Sequence, residues 1–141
     1  MSQENVEIVR RDVAARSARD WAALAEIWHS DIELEVVAKL ELVAGAATFR
    51  GLEEIRPFFE SLSSLYSEYR VEAGEIIDAG DQIVTVERIE GRGVKGSGAP
   101  TWVHEDLFRL ISFKDGKIWR VKEYPSRAEA LEAAGMAADE E

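Results

Sequence analysis

Residues 101–124, TWVHEDLFRLISFKDGKIWRVKEY, read as two long strands joined by a tight turn. Lys114-Asp115-Gly116-Lys117 supplies the turn, because Asp-Gly accepts the positive φ angles that a short hairpin demands. Side chains on a strand repeat every second residue. Glu105, Leu107, Arg109, Ile111 and Phe113 therefore share one face, and Trp119, Val121 and Glu123 share a face on the returning strand. If the two faces coincide, two acids and an arginine sit among aromatic and aliphatic groups. A solvent face is more polar than this, and a dry core carries no charge. The pattern describes the wall of an apolar pocket with a polar floor.

Upstream of the hairpin, residues 69–77 and 82–91 read as two more strands around the turn Asp78-Ala79-Gly80-Asp81. Residues 92–100, RGVKGSGAP, carry loop chemistry in their glycines and terminal proline. Further back, Thr48-Phe49-Arg50-Gly51 leads into a helix over 52–66, with Ile55, Phe59, Leu62 and Tyr66 at helical spacing. Pro57 lacks an N–H, so it predicts a late start or a bend there. Residues 39–47 fit either a strand or a loop. Residues 32–37 form a short strand in which Ile32, Leu34 and Val36 oppose Glu33, Glu35 and Val37.

Two helices come before that strand. The first covers residues 2–17, with Val6, Val9 and Val13 on one side and Glu4 and Glu7 near its positive end. Asp20 caps the second, which presents Trp21, Leu24, Ala25, Ile27 and Trp28 and ends at His29-Ser30-Asp31. After the hairpin, Ser126-Arg127-Ala128-Glu129 is a capping box that opens a short helix closing at Gly135. Runs of helices followed by runs of strands, without strict alternation, argue an α+β fold with a mostly antiparallel sheet. The chain reads as a single domain over residues 1–135 with an acidic tail over 136–141.

Composition narrows the partners. A length of 141 residues suffices for one domain with a real core. The formal net charge of −11 repels phosphate backbones and anionic lipid, so neither nucleic acid nor a membrane surface is the expected partner. With no Cys, disulfides, thiol nucleophiles and thiolate metal sites are excluded, which suits a reducing cytoplasm. The N-terminus has no apolar segment of signal-peptide length, and no apolar run approaches a membrane span. His29 and His104 have no metal-ligand spacing, so no metal site is expected. His29 is expected to be structural, and His104 to lie on a surface or interface.

The chain resembles the SnoaL-like branch of the nuclear transport factor 2-like superfamily. The matching residues are 1–10 (MSQENVEIVR), Arg19-Asp20-Trp21, His29-Ser30-Asp31-Ile32-Glu33, Thr48-Phe49-Arg50-Gly51, Ile77-Asp78-Ala79-Gly80-Asp81, Lys114-Asp115-Gly116-Lys117-Ile118 and Arg127-Ala128-Glu129-Ala130-Leu131. They extend over essentially the whole chain. Most are turns and packing positions, so they speak to fold more than to activity. The resemblance implies a cone, in which a curved, mixed, mostly antiparallel sheet is wrapped by N-terminal helices around a central cavity. It also implies a homodimer through the outer face of the sheet and a small apolar ligand. Some members are polyketide cyclases, ketosteroid isomerases or limonene epoxide hydrolases, and none of these needs a metal or an organic cofactor.

Two catalytic patterns are set against these residues. The isomerase pattern looks for a tyrosine in the first helix, a base on the first strand and a protonated acid on the penultimate strand. Asp12, Val36 and Arg109 stand at those places, which removes that chemistry. The epoxide hydrolase pattern fits better, with Arg88-Ile89-Glu90 and Glu123-Tyr124 at the matching places. By that resemblance Glu123 deprotonates a water, Glu90 protonates the leaving oxygen and Arg88 holds both carboxylates. Both acids are Glu where the pattern has Asp, which moves each carboxylate by roughly 1.5 Å. Arg109, Glu105, Trp28, Phe49, Phe59, Tyr66 and Trp119 are the candidate substrate-binding set. Against this stands a structural role, in which Arg88 with Glu90 and Arg109 with Glu105 are ion pairs that position strands or a dimer interface. Two functions remain. One is a cofactor-independent acid–base enzyme (hydrolase, cyclase or isomerase). The other is a non-catalytic dimeric ligand-binding module of the same fold.

Overall fold

The structure, a computed structural model, describes residues 2–36, 47–64, 66–94 and 102–136. Its elements run α1 (Ser2–Ala18), α2 (Trp21–Ile27), β1 (Trp28–Val36), β2 (Ala47–Arg50), α3 (Gly51–Ser63), β3 (Tyr66–Asp78), β4 (Gln82–Val94), β5 (Trp102–Lys114), β6 (Lys117–Tyr124) and α4 (Arg127–Ala133). Six strands form one sheet in the order β2-β1-β6-β5-β4-β3. Every neighbouring pair is antiparallel except β1 with β6, which is parallel. The sheet is mixed because β1 and β6 lie far apart in the chain, so no tight hairpin dictates their direction.

The β5–β6 hairpin turns through Asp115 (φ 54) and Gly116 (φ 75). Two positive φ angles in a row are what the Asp-Gly pair promises. Two irregularities bend the sheet. On β3 the register shifts between Ala73 and Glu75. At Gly74 an added Cβ would lie 3.3 Å from the Val86 carbonyl oxygen, so the missing side chain permits that approach. On β6, Ile118 faces Phe113 while Arg120 faces Ser112, which leaves Trp119 as the extra residue of a bulge. Bulges increase local twist and bend the strand.

Helices α1 to α3 cover the concave face. Val9, Leu24, Ile27 and Ile55 from the helices meet Ile83, Ile111, Ile118 and Val121 from the sheet. Each such side chain contributes roughly 1.5–3 kcal/mol by leaving water. A smaller cluster lies on the convex face, where Ala130 and Leu131 of α4 pack on Val84 and Leu110. Ser126 begins α4 as the capping box requires, its side chain accepting from Glu129 N. Gly135 (φ 81) ends that helix, and Met136 N donates to the Leu131 carbonyl at 2.9 Å. Asp20 caps α2 by accepting from Ala23 N at 3.1 Å.

Several boundaries differ from the sequence expectation. Helix α2 stops at Ile27, and His29-Ser30-Asp31 belongs to β1. Trp28 is extended (φ −89, ψ 136) and pairs with Ile118, so sheet pairing overrides the helical spacing there. Pro57 neither delays nor shortens α3, which begins at Gly51. The carbonyl that Pro57 leaves without its helical partner belongs to Glu53, and both residues are exposed, where solvent can reach it. Tyr66 begins β3 and does not end α3. Of the two uncertain stretches, Ala47 begins β2 and Arg92–Val94 extend β4, whereas residues 37–46 and 95–100 lie outside the described residues. So do residues 137–141 of the acidic tail. Among the described residues, no helix is long and apolar enough to cross a membrane.

Candidate functional site

Helix α1 brings charges to the concave face. Val9, Asp12, Val13 and Arg16 recur at the spacing of one helical face, and all four are buried. Burial of a charge is tolerated only with a partner. Here Arg16 Nε donates to Asp12 Oδ2 at 2.9 Å, and Arg16 Nη2 donates to Glu87 Oε1 at 2.8 Å. Glu87 reaches this point because Ile83, Thr85 and Glu87 alternate inward along β4, each of them fully buried. Thr85 Oγ1 donates to Glu87 Oε2 at 2.8 Å. From β5, Arg109 Nη1 donates to both Glu87 oxygens at 3.2 Å and stands 3.9 Å from Asp12 Oδ2. Trp28 Nε1 completes the cluster by donating to Asp12 Oδ1 at 2.7 Å.

Two arginines and two carboxylates thus cancel each other within the protein. Burial alone would raise the Glu87 carboxyl. The charges of Arg109 and Arg16, with hydrogen bonds from Arg16 and Thr85, outweigh it and hold the group at about 2. Arg16 is held above its ordinary value; burial acts against that, and Asp12 and Glu87 prevail. At neutral pH Glu87 is therefore a fixed anion and no proton donor. One loose end remains. Arg109 Nε is buried and has no hydrogen-bond partner, the one such side-chain atom among the described residues.

Beside this cluster a cavity opens, lined by Arg16, Arg19, Trp21, Phe59, Tyr69, Val71, Ile89, Leu107, Arg109 and Glu123. Its volume is about 20 Å³, close to that of a single water, and reaches about 400 Å³ only when the open solvent at its mouth is counted. Glu123 stands directly across the β5–β6 ladder from Arg109 and is 8% exposed. Trp21 stacks on Phe59 at 6.3 Å and meets Trp28 edge-on at 6.5 Å, which gives the cavity an aromatic side. A wider, more polar hollow lies against Glu33, Glu35, Arg120, Lys122 and Tyr124. Three of its charged groups are in ion pairs, Lys122 with Glu35 at 3.7 Å and Glu33 with Arg50 at 3.5 Å.

Of the residues expected from sequence, Arg109, Glu123 and Phe59 line the cavity. Arg88 and Glu90 do not. They take the opposite parity on β4 from Glu87, where Arg88 pairs with Asp106 at 3.3 Å and Glu90 with Arg70 at 2.6 Å. The expected trio of Arg88, Glu90 and Glu123 is therefore split between the two faces of the sheet. Trp119 leaves the pocket face because of the bulge, and the Arg120 guanidinium sits 4.2 Å from its ring. Phe49 stacks on Phe58 at 4.5 Å and is not a lining residue. Trp28 acts behind the cavity wall, through Asp12. Glu105 is half-buried on the cavity side of β5, beyond Leu107, and the side chain of Tyr66 is outside the described residues. Sequence reasoning missed Arg16, Thr85 and Glu87. The available signal was that Asp12 and Arg16 fall in phase with Val9 and Val13. Among the described residues no cluster of three His, Asp or Glu is placed to hold a metal.

A curved sheet closed by N-terminal helices over a cavity with a charged floor is the cone of the nuclear transport factor 2-like proteins. Within that class, the SnoaL-like domain matches residues 9–121, and the chain belongs to the SnoaL-like family. Solved structures agree on the fold. A nuclear transport factor 2-like protein from Burkholderia xenovorans LB400 is 24% identical, covers 95% of this chain and 97% of its own, and superposes with a TM-score of 0.68. A protein with a ketosteroid isomerase-like fold from Catenulispora acidiphila DSM 44928, solved in complex with trimethylamine, is 24% identical over 96% and 97% of the two chains, with a TM-score of 0.66. TerC, co-crystallised with polyporic acid, is 22% identical over 94% and 98%, with a TM-score of 0.68. No curated protein matches the chain.

Proposed function

We propose that the protein binds a small, mostly apolar molecule in the concave cavity and moves a proton on it without a cofactor. The observation that carries this reading is the pairing of Arg109 and Glu123, adjacent across β5–β6 and facing an otherwise largely apolar cavity. Arg109 receives a carbonyl oxygen of the ligand. Glu123, as carboxylate, takes a proton from the carbon beside that carbonyl. The C–H electron pair becomes the enolate double bond, and the negative charge on oxygen rests on Arg109. The reverse step returns the proton. Support also comes from two cone-fold neighbours that were solved with small molecules, trimethylamine and polyporic acid.

The epoxide-opening version loses its support, because Glu90 lies on the other face and Glu87 stays ionised. The test uses acetophenone and cyclohexanone in heavy water. Ligand-observed NMR reports binding, and mass spectrometry reports deuterium at the carbon beside the carbonyl. Wild-type protein is expected to speed that exchange, and Glu123→Gln to abolish it while the fold persists. Absence of both binding and exchange refutes the reading.

One observation favours the alternative of a non-catalytic binding module. Glu87 already neutralises Arg109, which weakens any help the guanidinium gives to a developing oxyanion. Binding without exchange is the outcome that selects it. A homodimer is proposed through the convex face next to β1 and β6, since α4 occupies the part over Val84 and Leu110. Sedimentation at micromolar concentration tests this, and a monomer there refutes it.

A further inference from the structure

We propose that the acidic residues of the chain's own tail, Asp139, Glu140 and Glu141, dock on the cationic end of the convex face, where Lys114 and Arg120 flank Trp119, and that they reach it along the hollow beside Tyr124. The proposal is independent of the concave cavity and of any reaction there.

The β5–β6 hairpin runs against the charge of the protein. The whole chain carries −11, yet residues 114–122 hold Lys114, Lys117, Arg120 and Lys122 with one acid, Asp115. Asp115 is engaged by His29 at 3.2 Å, and Lys122 by Glu35 at 3.7 Å. Lys114, Lys117 and Arg120 are exposed and have no anionic partner among the described residues. Glu33 stands across the ladder from Arg120 but pairs with Arg50 instead. Two of the three unpaired cations lie against one ring, the Arg120 guanidinium 4.2 Å and the Lys114 ammonium 5.1 Å from the Trp119 centroid. The bulge at Trp119 thus gathers two like charges with no carboxylate between them. The ring face offsets part of their repulsion, and a carboxylate offsets more.

The chain brings carboxylates to this place. Met136 packs with Tyr124 on the cluster of Val84, Leu110, Ala130 and Leu131. Leu110 and Tyr124 also line the polar hollow of about 330 Å³ that Lys122 and Arg120 share. Arg120 lies about 13 Å from Tyr124 at the rise of a strand. Residues 137–141 span at most about 17 Å, so the acids at 139–141 come within reach of Lys122 and Arg120. Held on the same chain, they face these cations at an effective concentration on the order of millimolar, enough for weak surface pairs to form. The hollow lies on the face proposed for the homodimer, so tail and second copy compete for it.

Coupling with a water-soluble carbodiimide reads the contact in the intact chain, because it joins a carboxylate to a lysine amine with loss of water and adds no spacer. An equal mixture of isotope-labelled and unlabelled protein separates links within a chain from links between chains. Peptide mapping by mass spectrometry at low salt is expected to find Asp139, Glu140 or Glu141 joined to Lys114 or Lys122 of the same chain. Arg120→Gln leaves the reach of the tail and both lysines unchanged. It is expected to lower the coupled fraction of the tail peptide about three- to fivefold. Salt at about 0.5 M is expected to do the same to wild type, an arm that does not depend on how the variant folds. A coupled fraction equal in Arg120→Gln and wild type, or indifferent to salt, reports proximity without docking and overturns the proposal. Tail links confined to pairs of different chains overturn it too, as does the absence of any link from the tail to Lys114 or Lys122.

Discussion

Replacing Glu87 by glutamine removes one of two negative charges from a buried cluster that holds two guanidiniums. The carboxylate accepts from Arg16 Nη2 at 2.8 Å, from Arg109 Nη1 at 3.2 Å and from Thr85 Oγ1 at 2.8 Å. A neutral amide keeps the shape but leaves one positive charge uncompensated. The size follows from the proton affinity of the carboxyl. Against an ordinary value of 4.5 the group is held at about 2 in the folded state. At about 1.4 kcal/mol per tenfold, that makes the folded environment worth about 3 kcal/mol to the ionised form. Removing one partner of a buried pair costs about 3–5 kcal/mol by a separate route, so the two agree. Either figure is a large part of a total stability of roughly 5–15 kcal/mol. The sign fixes the pH window. A carboxyl held below its ordinary value stabilises the fold above pH 4.5, and that contribution fades as pH falls toward 2. Urea melts of both proteins at pH 7 should then differ in midpoint by roughly 1–3 M. The difference should close between pH 4.5 and 2, as the wild type loses what the variant never had. A variant as stable as wild type at pH 7, or a gap that stays constant into acid, would refute the reasoning.

Other outcomes follow from the same structure. Trp28→Phe removes the 2.7 Å donor to Asp12 Oδ1 and should cost about 1–3 kcal/mol in a denaturant melt, with helix content unchanged by circular dichroism. Arg88→Ala breaks a half-exposed pair with Asp106 and should shift stability by about 0.5 kcal/mol or less, leaving probe binding intact. Gly51→Ala forces a side chain onto φ +73, where the nearest contact is an ordinary 3.9 Å, so strain alone should cost about 1–2 kcal/mol by thermal melting.

The hairpin over 101–124 and the capping residues Asp20 and Ser126 were legible because turn and cap chemistry is local. The parity of β4 was not. Its run Ile83-Val84-Thr85-Val86 is apolar on both faces, since α4 covers Val84 while the N-terminal helices cover Ile83. Alternation then tells which residues share a face but not which face looks inward. Arg88 and Glu90 came from the resemblance to the epoxide hydrolase pattern, and nothing in the alternation of β4 shows that they take the outer parity. Trp119 was misplaced for a related reason, because a bulge of one residue inverts every side chain on its far side. The Asp12–Arg16 pair looks in sequence like any surface pair at helical spacing. Only the arrival of Glu87 and Arg109 from distant strands explains its burial.

The parallel pairing of β1 with β6 also orders events during synthesis. β1 leaves the ribosome well before its partner β6, with β2 to β5 emerging between them. Until Ile118 arrives, Trp28 has no neighbour on that side, and the apolar edge carrying Ile32 and Leu34 stays open. Contacts this distant in sequence close slowly, and an open strand edge invites pairing with another chain. The cavity is therefore sealed in one late step, and nascent chains that stall before residue 117 should be the ones that aggregate or need a chaperone.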